Sequence, residues 1–322
     1  MFSVEPFNMG LSDEWNDFVR RSRNGTFLFE RGYMDYHADR FQDDSLLFRD
    51  RDGAVAGLLP ASRSGSRVSS HGGLTYGGLV LGLKARTSGV IDLLDAAVAY
   101  YRASGVTSIE YKCVPRIYHR LVSEDVLYAL FRLGATLVRR DVSSTVQPAE
   151  RPSSQARRLR GARKARAAGI SVRESAEFDA FWPVLESNLS GRHGVRPVHT
   201  ADEITLLARR FPKAIRLFMA LDGTEVVAGT IIYETPLVAH AQYIGSNRRG
   251  RDVAALDLLF EELIDTVYPN KQYFDFGIST EADGRDLDAG LIQYKEGFGA
   301  TATVHDFYHL DRVPPEGMPC GS

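Results

Sequence analysis

The chain has 322 residues, of which 44% are hydrophobic and 25% are charged. This composition is typical of a globular protein, and the length allows two domains of ordinary size. The net charge of −2 argues against a dedicated nucleic-acid-binding protein. Cys113 and Cys320 are far apart in sequence, which argues against a disulfide framework. No signal peptide and no membrane span of roughly 18 apolar residues is visible, so the sequence predicts a cytoplasmic protein.

The first half of the chain alternates short apolar strands with amphipathic helices. A glycine-rich segment at 72–81 interrupts this pattern. The predicted strands are 3–7, 45–51, 54–62, 108–113 and 136–146, and the predicted helices are 12–23, 31–41, 89–103 and 123–133.

The second half repeats the same order of elements. Its predicted strands are 170–174, 215–221, 225–234, 238–245, 272–278 and 300–310, and its predicted helices are 176–189, 201–210, 253–267 and 290–298.

Two local motifs occur once in each half, which predicts an internal duplication. The first is a strand, an Asp-Gly turn and a second strand, with the turns at Asp52-Gly53 and Asp222-Gly223. The second is a Gly-Ala-Thr sequence that opens 134–138 and 299–304. A duplicated domain is expected to form a ligand-binding cleft between its halves.

The predicted domain boundaries follow from this repeat. An N-terminal domain is expected over 1–150 and a C-terminal domain over 169–312. A basic linker helix is expected over 151–168, and the Pro- and Gly-rich residues 313–322 are expected to form a disordered tail.

Three motifs in the second half, together with the repeated order of elements, resemble a known family. They are Tyr294-Lys295-Glu296-Gly297-Phe298-Gly299, Asp275-Phe276-Gly277-Ile278-Ser279, and Arg163-Lys164-Ala165 followed by Gly169. Over roughly residues 1–312 the chain resembles the FemAB-like branch of the GNAT acyltransferases. The resemblance implies an α/β fold with mixed α+β sheets and two tandem GNAT-like domains. It also implies an N-acyltransferase with an acyl-CoA thioester as co-substrate.

The loop that binds the donor pyrophosphate in GNAT enzymes departs from its usual pattern in this chain. The family pattern is Gln/Arg-x-x-Gly-x-Gly/Ala, whereas this sequence reads Asn247-Arg248-Arg249-Gly250-Arg251-Asp252. The resemblance assigns Arg248, Arg249 and Gly250 to the donor, and Asp252 argues against an ordinary acetyl-CoA donor.

The resemblance also points to the fourth strand of the second half, because this strand polarises the donor carbonyl in the GNAT fold. Strict alternation over 238–245 predicts His240 and Gln242 on one face and Tyr243 on the other. Polar side chains in a central strand suggest a site, and the alternative is a His and a Gln that are hydrogen-bonded inside the core.

Three further residues follow from the family motifs. Asp275 is predicted to accept the amine proton or to orient the amine, and its alternative is a salt bridge to an arginine. Lys295 is predicted to contact a phosphate or carbonyl oxygen, and its alternative is a lysine that points into water. Ser279, at the end of the Asp-Phe-Gly strand, is assigned to the substrate.

In the first half, glycines around His71 and Tyr76 would allow close approach of a ligand, and the alternative is a bulged strand. Lys112, Tyr118 and His119 follow the fifth strand and suit an acceptor that carries phosphate or sugar.

Other histidines carry weaker predictions. His199 lies with His193 and Arg196 in a loop that is expected to cover the cleft, unless these side chains are merely solvated. His305 and His309 lie too far apart on a predicted strand to share one ion, so no metal site is expected.

The basic helix has several interpretations. It suits the phosphates of tRNA, the phosphates of CoA, an anionic membrane surface that the protein contacts peripherally, or the diphosphate of an acceptor. The alternative is a solvated helix that pairs with nearby carboxylates. The basic residues are Arg157, Arg158, Arg160, Arg163, Lys164 and Arg166.

The predicted function is transfer of an acyl group from an acyl thioester to an amine, directly and within the cleft. The acceptor is expected to be a cell-envelope or polysaccharide precursor, namely an amino sugar or a long-chain, lipid-linked amine. A FemAB-type transferase that uses aminoacyl-tRNA is the alternative, and a catalytically silent GNAT-like scaffold is the second alternative.

Overall fold

The computed structural model describes residues 2–193 and 197–311. The predicted tail at 313–322, together with Cys320 and Arg196, lies outside the described residues. Within them the chain divides into two compact units. The first unit contains 2–141, Asp283–Arg285 and 304–311, and the second contains Val142–Ala282 and Asp286–Thr303.

Among the described residues, the first half of the chain forms four α-helices and nine strands, with single 3₁₀ turns between some of them. In chain order they are β1 (Ser3–Pro6), α1 (Ser12–Arg21), α2 (Arg31–Met34), β2 (Gln42–Asp43), β3 (Leu46–Arg49), β4 (Val55–Leu59), β5 (Ser62–Ser64), β6 (Arg67–Ser69), β7 (Val80–Leu81), α3 (Thr87–Ala103), β8 (Ser108–Lys112), α4 (Asp125–Arg132) and β9 (Thr136–Val146).

The second half repeats this order with longer strands. Its elements are α5 (Ala156–Ala167), β10 (Ile170–Ser175), α6 (Phe178–His193), α7 (Ala201–Arg210), β11 (Ile215–Asp222), β12 (Glu225–Glu234), β13 (Val238–Ser246), α8 (Arg248–Asp252), α9 (Ala255–Glu262), β14 (Tyr273–Ile278), β15 (Thr280–Glu281), β16 (Asp286–Leu287), α10 (Ala289–Glu296) and β17 (Thr301–Asp311).

The sheets contain both parallel and antiparallel strand pairs, as the mixed α/β class predicts. In the first unit, β1, β3, β4 and β7 form one antiparallel set, and the last part of β17 is followed by β8, β6, β5 and β2. In the second unit the order is β10, β11, β12, β13, β14 and the end of β9. All neighbours in that second-unit order are antiparallel except β13 and β14, which are parallel.

The compact units end at different residues from the predicted domains. Residues 142–146 of β9 belong with the second unit, because they pair with β14. Residues 307–311 of β17 pair with β8, which explains why the chain from 304 onwards belongs with the first unit. The unit boundaries at 141/142 and 303/304 therefore fall within β9 and β17.

The basic helix α5 is a packed part of the second unit rather than a separate linker. Ala162 and Ala165 are buried in a cluster with Val253 and Leu258. A Cβ atom on Gly161 would lie 1.8 Å from Asp257 Oδ2, so the glycine inside this helix permits close approach of α9. The charge of the segment concealed its apolar stripe at the sequence level.

The predicted duplication is visible as equivalent hairpins and an equivalent strand register. The Asp-Gly turns join β3 to β4 and β11 to β12, and Gly53 and Gly223 have φ angles of 81° and 61°. In each half one parallel pair extends over three residue pairs, from Arg67↔Ser108 to Ser69↔Glu110 and from Val238↔Tyr273 to His240↔Asp275. The two units therefore share one plan.

The shared plan also explains the glycine-rich segment. In the second unit β13 is continuous and pairs with both β12 and β14. In the first unit the corresponding strand is divided into β6, which pairs with β8, and β7, which pairs with β4. The glycines lie in the segment between these two short strands, so the strand is interrupted there.

Candidate active site

The geometry of the candidate site begins where β13 and β14 stop pairing. Among the described residues, their parallel register ends at His240↔Asp275. Beyond this point β13 continues along β12 to Ser246, whereas β14 pairs with β9 at Ile278↔Ser143. Two adjacent strands that diverge leave backbone groups between them without a ladder partner.

His240 and Asp275 form a hydrogen-bonded dyad at this divergence. His240 Nδ1 lies 2.7 Å from Asp275 Oδ2. An ionised carboxylate can only accept, so Nδ1 carries a proton, and in the neutral imidazole Nε2 keeps its lone pair. The His240 side chain is 10% exposed, and its Nε2 forms no hydrogen bond with the described residues. The dyad therefore presents a basic nitrogen that is held in one tautomer.

The Asp275 carboxylate is entirely buried, and hydroxyl groups from β9 bind its other oxygen. Thr145 Oγ1 donates to Asp275 Oδ1 at 2.9 Å, and Ser143 Oγ donates to the same atom. Thr145 Oγ1 is also 2.9 Å from Thr303 Oγ1. Because a buried carboxylate needs several partners, these hydroxyls help to keep it ionised and fixed. Asp275 is therefore positioned to orient His240.

Lys295 on α10 supports the end of β14. Its Nζ donates to Gly277 O at 2.8 Å, to Ile278 O at 2.7 Å and to Ser279 Oγ at 2.9 Å. Burial lowers the pKa of Lys295 to about 8, and the Asp275 and Asp288 carboxylates oppose this effect. Since the three ammonium protons have protein acceptors, the geometry gives Lys295 and Ser279 a positioning role.

Gly277 lies beside the dyad at a position that only glycine suits. Its φ angle is 77°, and a Cβ atom built on it would lie 3.5 Å from His240 Cε1. Since L side chains rarely adopt this backbone conformation, another residue there would be strained. The Asp-Phe-Gly segment thus places a carboxylate at Nδ1 and a glycine near Cε1 of the same imidazole ring.

The regular alternation predicted for β13 is interrupted at Gln242. The register pairs Ala241 with Ile232 and Tyr243 with Ile231, so Gln242 is the extra residue of a β-bulge. The Gln242 Oε1 atom is buried without a hydrogen-bond partner in the described residues. Tyr243 turns to a different partner, because its hydroxyl lies 2.6 Å from Nδ1 of the buried His199. His199 and Tyr243 therefore form a second pair, and His199 is not simply solvated.

The loop predicted to bind the donor is held by its own contacts. Asn247 Oδ1 accepts from the Gly250 N–H at 2.8 Å, and Arg249 Nε lies 2.7 Å from Asp222 Oδ2. A Cβ atom on Gly250 would lie 2.2 Å from Val227 O, so this glycine allows α8 to pack against β12. These contacts occupy two of the groups that were assigned to a pyrophosphate.

The first-unit candidates lie mostly inside their own core. Tyr76 Oη donates to Thr26 Oγ1 at 3.0 Å, and the ring centroids of Tyr76 and Tyr118 are 4.5 Å apart. Lys112 Nζ binds the carbonyl oxygens of His71, Gly72 and Leu74 at 3.1–3.3 Å. Lys112 thus stabilises the glycine-rich loop in the way that Lys295 stabilises the end of β14.

Burial lowers the pKa values of two first-unit histidines, His71 and His119. Burial and the neighbouring His37 lower the pKa of His71 to about 3. Burial lowers the pKa of His119 to about 4, although His119 Nε2 lies 3.0 Å from Val114 O. At the register position of the dyad the first unit carries Ser69 and Glu110. Within the described residues, the His–Asp arrangement at this register is therefore a property of the second unit.

Two residues of the site were not singled out from the sequence. Ser143 and Thr145 lie 132 and 130 residues before Asp275, on a strand whose hydroxyl residues are unremarkable in sequence. Among the described residues, no group of three or more His, Cys, Asp or Glu side chains is arranged to hold a metal ion. The same residues include no helix long and apolar enough to cross a membrane.

Residues 153–296 match the acetyltransferase (GNAT) domain family. This segment contains β13, β14, α10 and both members of the dyad. It forms a GNAT domain. In the GNAT fold that the sequence resembles, the acyl carbonyl is expected where two neighbouring strands diverge, which in this chain is the end of the β13–β14 pairing. No curated protein matches the sequence.

Solved structures with this GNAT plan resemble the chain over nearly its whole length. FemX is 14% identical, with a TM-score of 0.67, and the match covers 94% of this chain and 96% of FemX. L-PGS from Bacillus licheniformis is 14% identical, with a TM-score of 0.60 and coverage of 94% and 92%. A tandem GNAT protein from the clavulanic acid biosynthesis pathway is 14% identical, with a TM-score of 0.50 and coverage of 98% and 100%. The predicted tandem GNAT-like fold is therefore confirmed, and the match to the GNAT family itself covers residues 153–296.

Proposed function

We propose that the second unit transfers an acyl group to an amine, with His240 as the proton acceptor. The observation that carries this proposal is the His240 Nδ1–Asp275 Oδ2 hydrogen bond of 2.7 Å at the last residue pair of β13 and β14. This hydrogen bond leaves His240 Nε2 as a basic nitrogen without a hydrogen bond to the described residues. Beside it lie backbone groups beyond the last residue pair of β13 and β14, which do not bond between these two strands. A nucleophilic amine needs such a base, and a developing oxyanion needs such donors.

The proposed reaction is direct. The acceptor nitrogen attacks the acyl carbon, and backbone N–H groups of β13 stabilise the negative charge on the carbonyl oxygen. The amine proton moves to His240 Nε2, while Asp275 stabilises the imidazolium. The bond between the acyl carbon and the leaving oxygen or sulfur then breaks, and His240 returns the proton to the leaving group. The products are an amide and the free carrier.

We propose that the donor is aminoacyl-tRNA, a long polyanion that carries the acyl group. Two observations favour this donor over acyl-CoA. In the loop assigned to the pyrophosphate, the Gly250 N–H and the Arg249 guanidinium already have protein partners. On α5, the side chains of Arg157, Arg160 and Arg163 are exposed and form no salt bridge with the described residues. Spacing of three residues places these arginines along one side of the helix, where successive phosphates can bind.

The names of the solved relatives are consistent with this donor. One similar structure is the C-terminal domain of a putative lysylphosphatidylglycerol synthetase from Agrobacterium fabrum, with a TM-score of 0.60 and 11% identity. That name describes a product in which an amino acid is attached to a lipid. We propose a related acceptor class for this chain, namely an amino sugar or a lipid-linked amine of the cell envelope. Acyl-CoA is the alternative donor, and a silent scaffold is the alternative of a different class.

The reaction is tested by His240→Gln, with His309→Gln as the matched control. His309 is half-buried and lies on β17, outside the dyad. Total aminoacyl-tRNA with a labelled amino acid is incubated with amino-sugar and lipid acceptors, and the amide product is measured by mass spectrometry. We expect His240→Gln to lower kcat by 10²–10⁴-fold, the usual contribution of a general base, and His309→Gln to retain activity. Equal activity of all three proteins would exclude His240 as the base.

The donor is tested separately by binding. Acetyl-CoA, palmitoyl-CoA and charged tRNA are compared with the wild type and with Arg157→Gln/Arg160→Gln/Arg163→Gln. We expect tRNA binding to weaken as salt rises, and the triple variant to reduce the log–log slope by about 2–3, because each neutralised phosphate contributes roughly 0.7–0.9. Binding of a CoA thioester alone would replace the proposed donor with acyl-CoA and leave the proposed base untouched.

A further inference from the structure

Helix α4 of the first unit is apolar on both of its faces. Val126, Ala129 and Leu130 are buried in the first unit's core. On the opposite face Tyr128 is 51% exposed and Phe131 is 77% exposed. A surface helix of a globular protein normally carries polar side chains on the face that points into water. The outer face of α4 is therefore not explained by folding.

The loop that leads into α4 extends this apolar surface. Leu121 is 50% exposed and Val122 is 60% exposed, only a few residues before the first turn of the helix. We name Leu121, Val122, Tyr128 and Phe131 the α4 apolar face. Single exposed apolar residues are ordinary, but several large ones within so short a segment mark an interaction surface.

Within the segment 116–132 the exposed charges are mostly positive. Arg116, Arg120 and Arg132 are exposed, and Arg132 interacts with Asp95 of the neighbouring helix α3. Of the two carboxylates in the same stretch, Asp125 forms a salt bridge with the buried Arg23, and Glu124 remains exposed. Histidine does not add to the charge, because burial lowers the pKa of His119 to about 4. The apolar face thus carries a basic border.

We propose that the α4 apolar face binds an anionic lipid surface. Aliphatic and aromatic side chains bordered by arginines are the composition of segments that insert into the headgroup region, and the arginines add attraction to anionic headgroups. A second copy of the chain fits less well. A two-fold dimer through this face would bring its basic border against the same border of the partner.

This binding is independent of the proposed transfer reaction, so it is tested without a substrate. The full chain is sedimented with sucrose-loaded vesicles of phosphatidylcholine alone or of phosphatidylcholine mixed with phosphatidylglycerol. The variants are Tyr128→Ser/Phe131→Ser and Arg116→Gln/Arg120→Gln. Leu206→Ser is the control, because Leu206 is an exposed apolar residue on α7, 42% exposed.

We expect binding to the mixed vesicles and much weaker binding to phosphatidylcholine alone. Tyr128→Ser/Phe131→Ser should lower the partition coefficient at least tenfold, and each removed arginine should lower it about fivefold at low salt. Leu206→Ser should bind as the wild type does. Unchanged vesicle binding of the serine pair would overturn the proposal. Sedimentation velocity that shows a dimer in the wild type and a monomer in that pair, with no vesicle binding, would assign the face to a second copy.

Discussion

Substitution of Asp275 by Asn tests the proposed role of the dyad most directly. The change removes one charge and keeps the shape of the side chain. Asparagine Oδ1 can still accept from Ser143 and Thr145, which both donate to Asp275 Oδ1. Its amide nitrogen would then lie opposite His240 Nδ1, where the acceptor oxygen now stands at 2.7 Å. Because the amide nitrogen only donates, the imidazole must move its proton to Nε2.

The expected loss can be worked out from this change of tautomer. With a proton on Nε2, His240 cannot accept the amine proton, and the contribution of the general base disappears. General-base catalysis typically contributes 10²–10⁴-fold, which corresponds to a barrier of roughly 3–5.5 kcal/mol. The unfolding free energy should change by no more than about 2 kcal/mol, because the two hydroxyl bonds are retained.

The assay has three readings and a matched control. Values of kcat are measured with the wild type, Asp275→Asn and Asp257→Asn, and urea unfolding is followed for each. Asp257 is also a buried carboxylate of the second unit, but it pairs with Arg158. Its variant should lose stability and keep its kcat. Nitrogen-15 shifts of His240 report the tautomer, and an unchanged tautomer or an unchanged kcat in Asp275→Asn would refute the reasoning.

Three further predictions concern histidine, glycine and lysine residues. The folded-state pKa values of His71 (about 3) and His119 (about 4) lie below the value of 6.5 of a free histidine, so between pH 6.5 and 4 the unfolded chain binds more protons than the folded chain. Urea unfolding should therefore show a loss of about 2 kcal/mol of unfolding free energy per histidine at pH 5. His71→Asn should remove half of this pH-dependent loss. Gly250→Ala should lower the unfolding free energy by roughly 1–3 kcal/mol, because the added Cβ atom would lie 2.2 Å from the backbone oxygen of Val227. Gly290→Ala is the control: its Cβ atom would lie no closer than 3.5 Å to another atom, so this variant should unfold as the wild type does. Lys295→Met leaves two carbonyl oxygens and a hydroxyl without their donor, so calorimetry should show a free energy of unfolding that is lower by roughly 1–3 kcal/mol, and the activity assay should show a lower kcat. Full stability with a lost kcat would instead indicate that Lys295 contacts a ligand.

Local signals in the sequence predict the long strands of the second half but not the two-residue strands β15 and β16. The prediction of a strand over 225–234 has the same ends as β12, because an Asp-Gly turn fixes where the hairpin begins. The helix predicted over 31–41 is wrong in length, since α2 ends at Met34 and continues only as a short 3₁₀ turn. Helical spacing of apolar residues did not reveal that this segment carries an aromatic cluster around His37.

The members of the dyad could be named from the sequence, but their contact could not. His240 and Asp275 were singled out separately, for polarity in a central strand and for a family motif. They are 35 residues apart, and only the parallel register of β13 and β14 brings them together. The sequence alone does not pair these two residues, and the structure shows that Asp275 pairs with His240.

The duplication explains why two equivalent units are expected to have different roles. Both units keep the parallel three-pair register, but the position of His240 and Asp275 is occupied by Ser69 and Glu110 in the first unit. In addition, the first-unit strand is divided at that point, so it has no continuous edge like that of β13. A base and an ordered set of backbone donors are both needed for acyl transfer. We therefore expect that the first unit has no catalytic role. Its surfaces, such as the α4 apolar face, can then serve binding, as proposed for an anionic lipid surface.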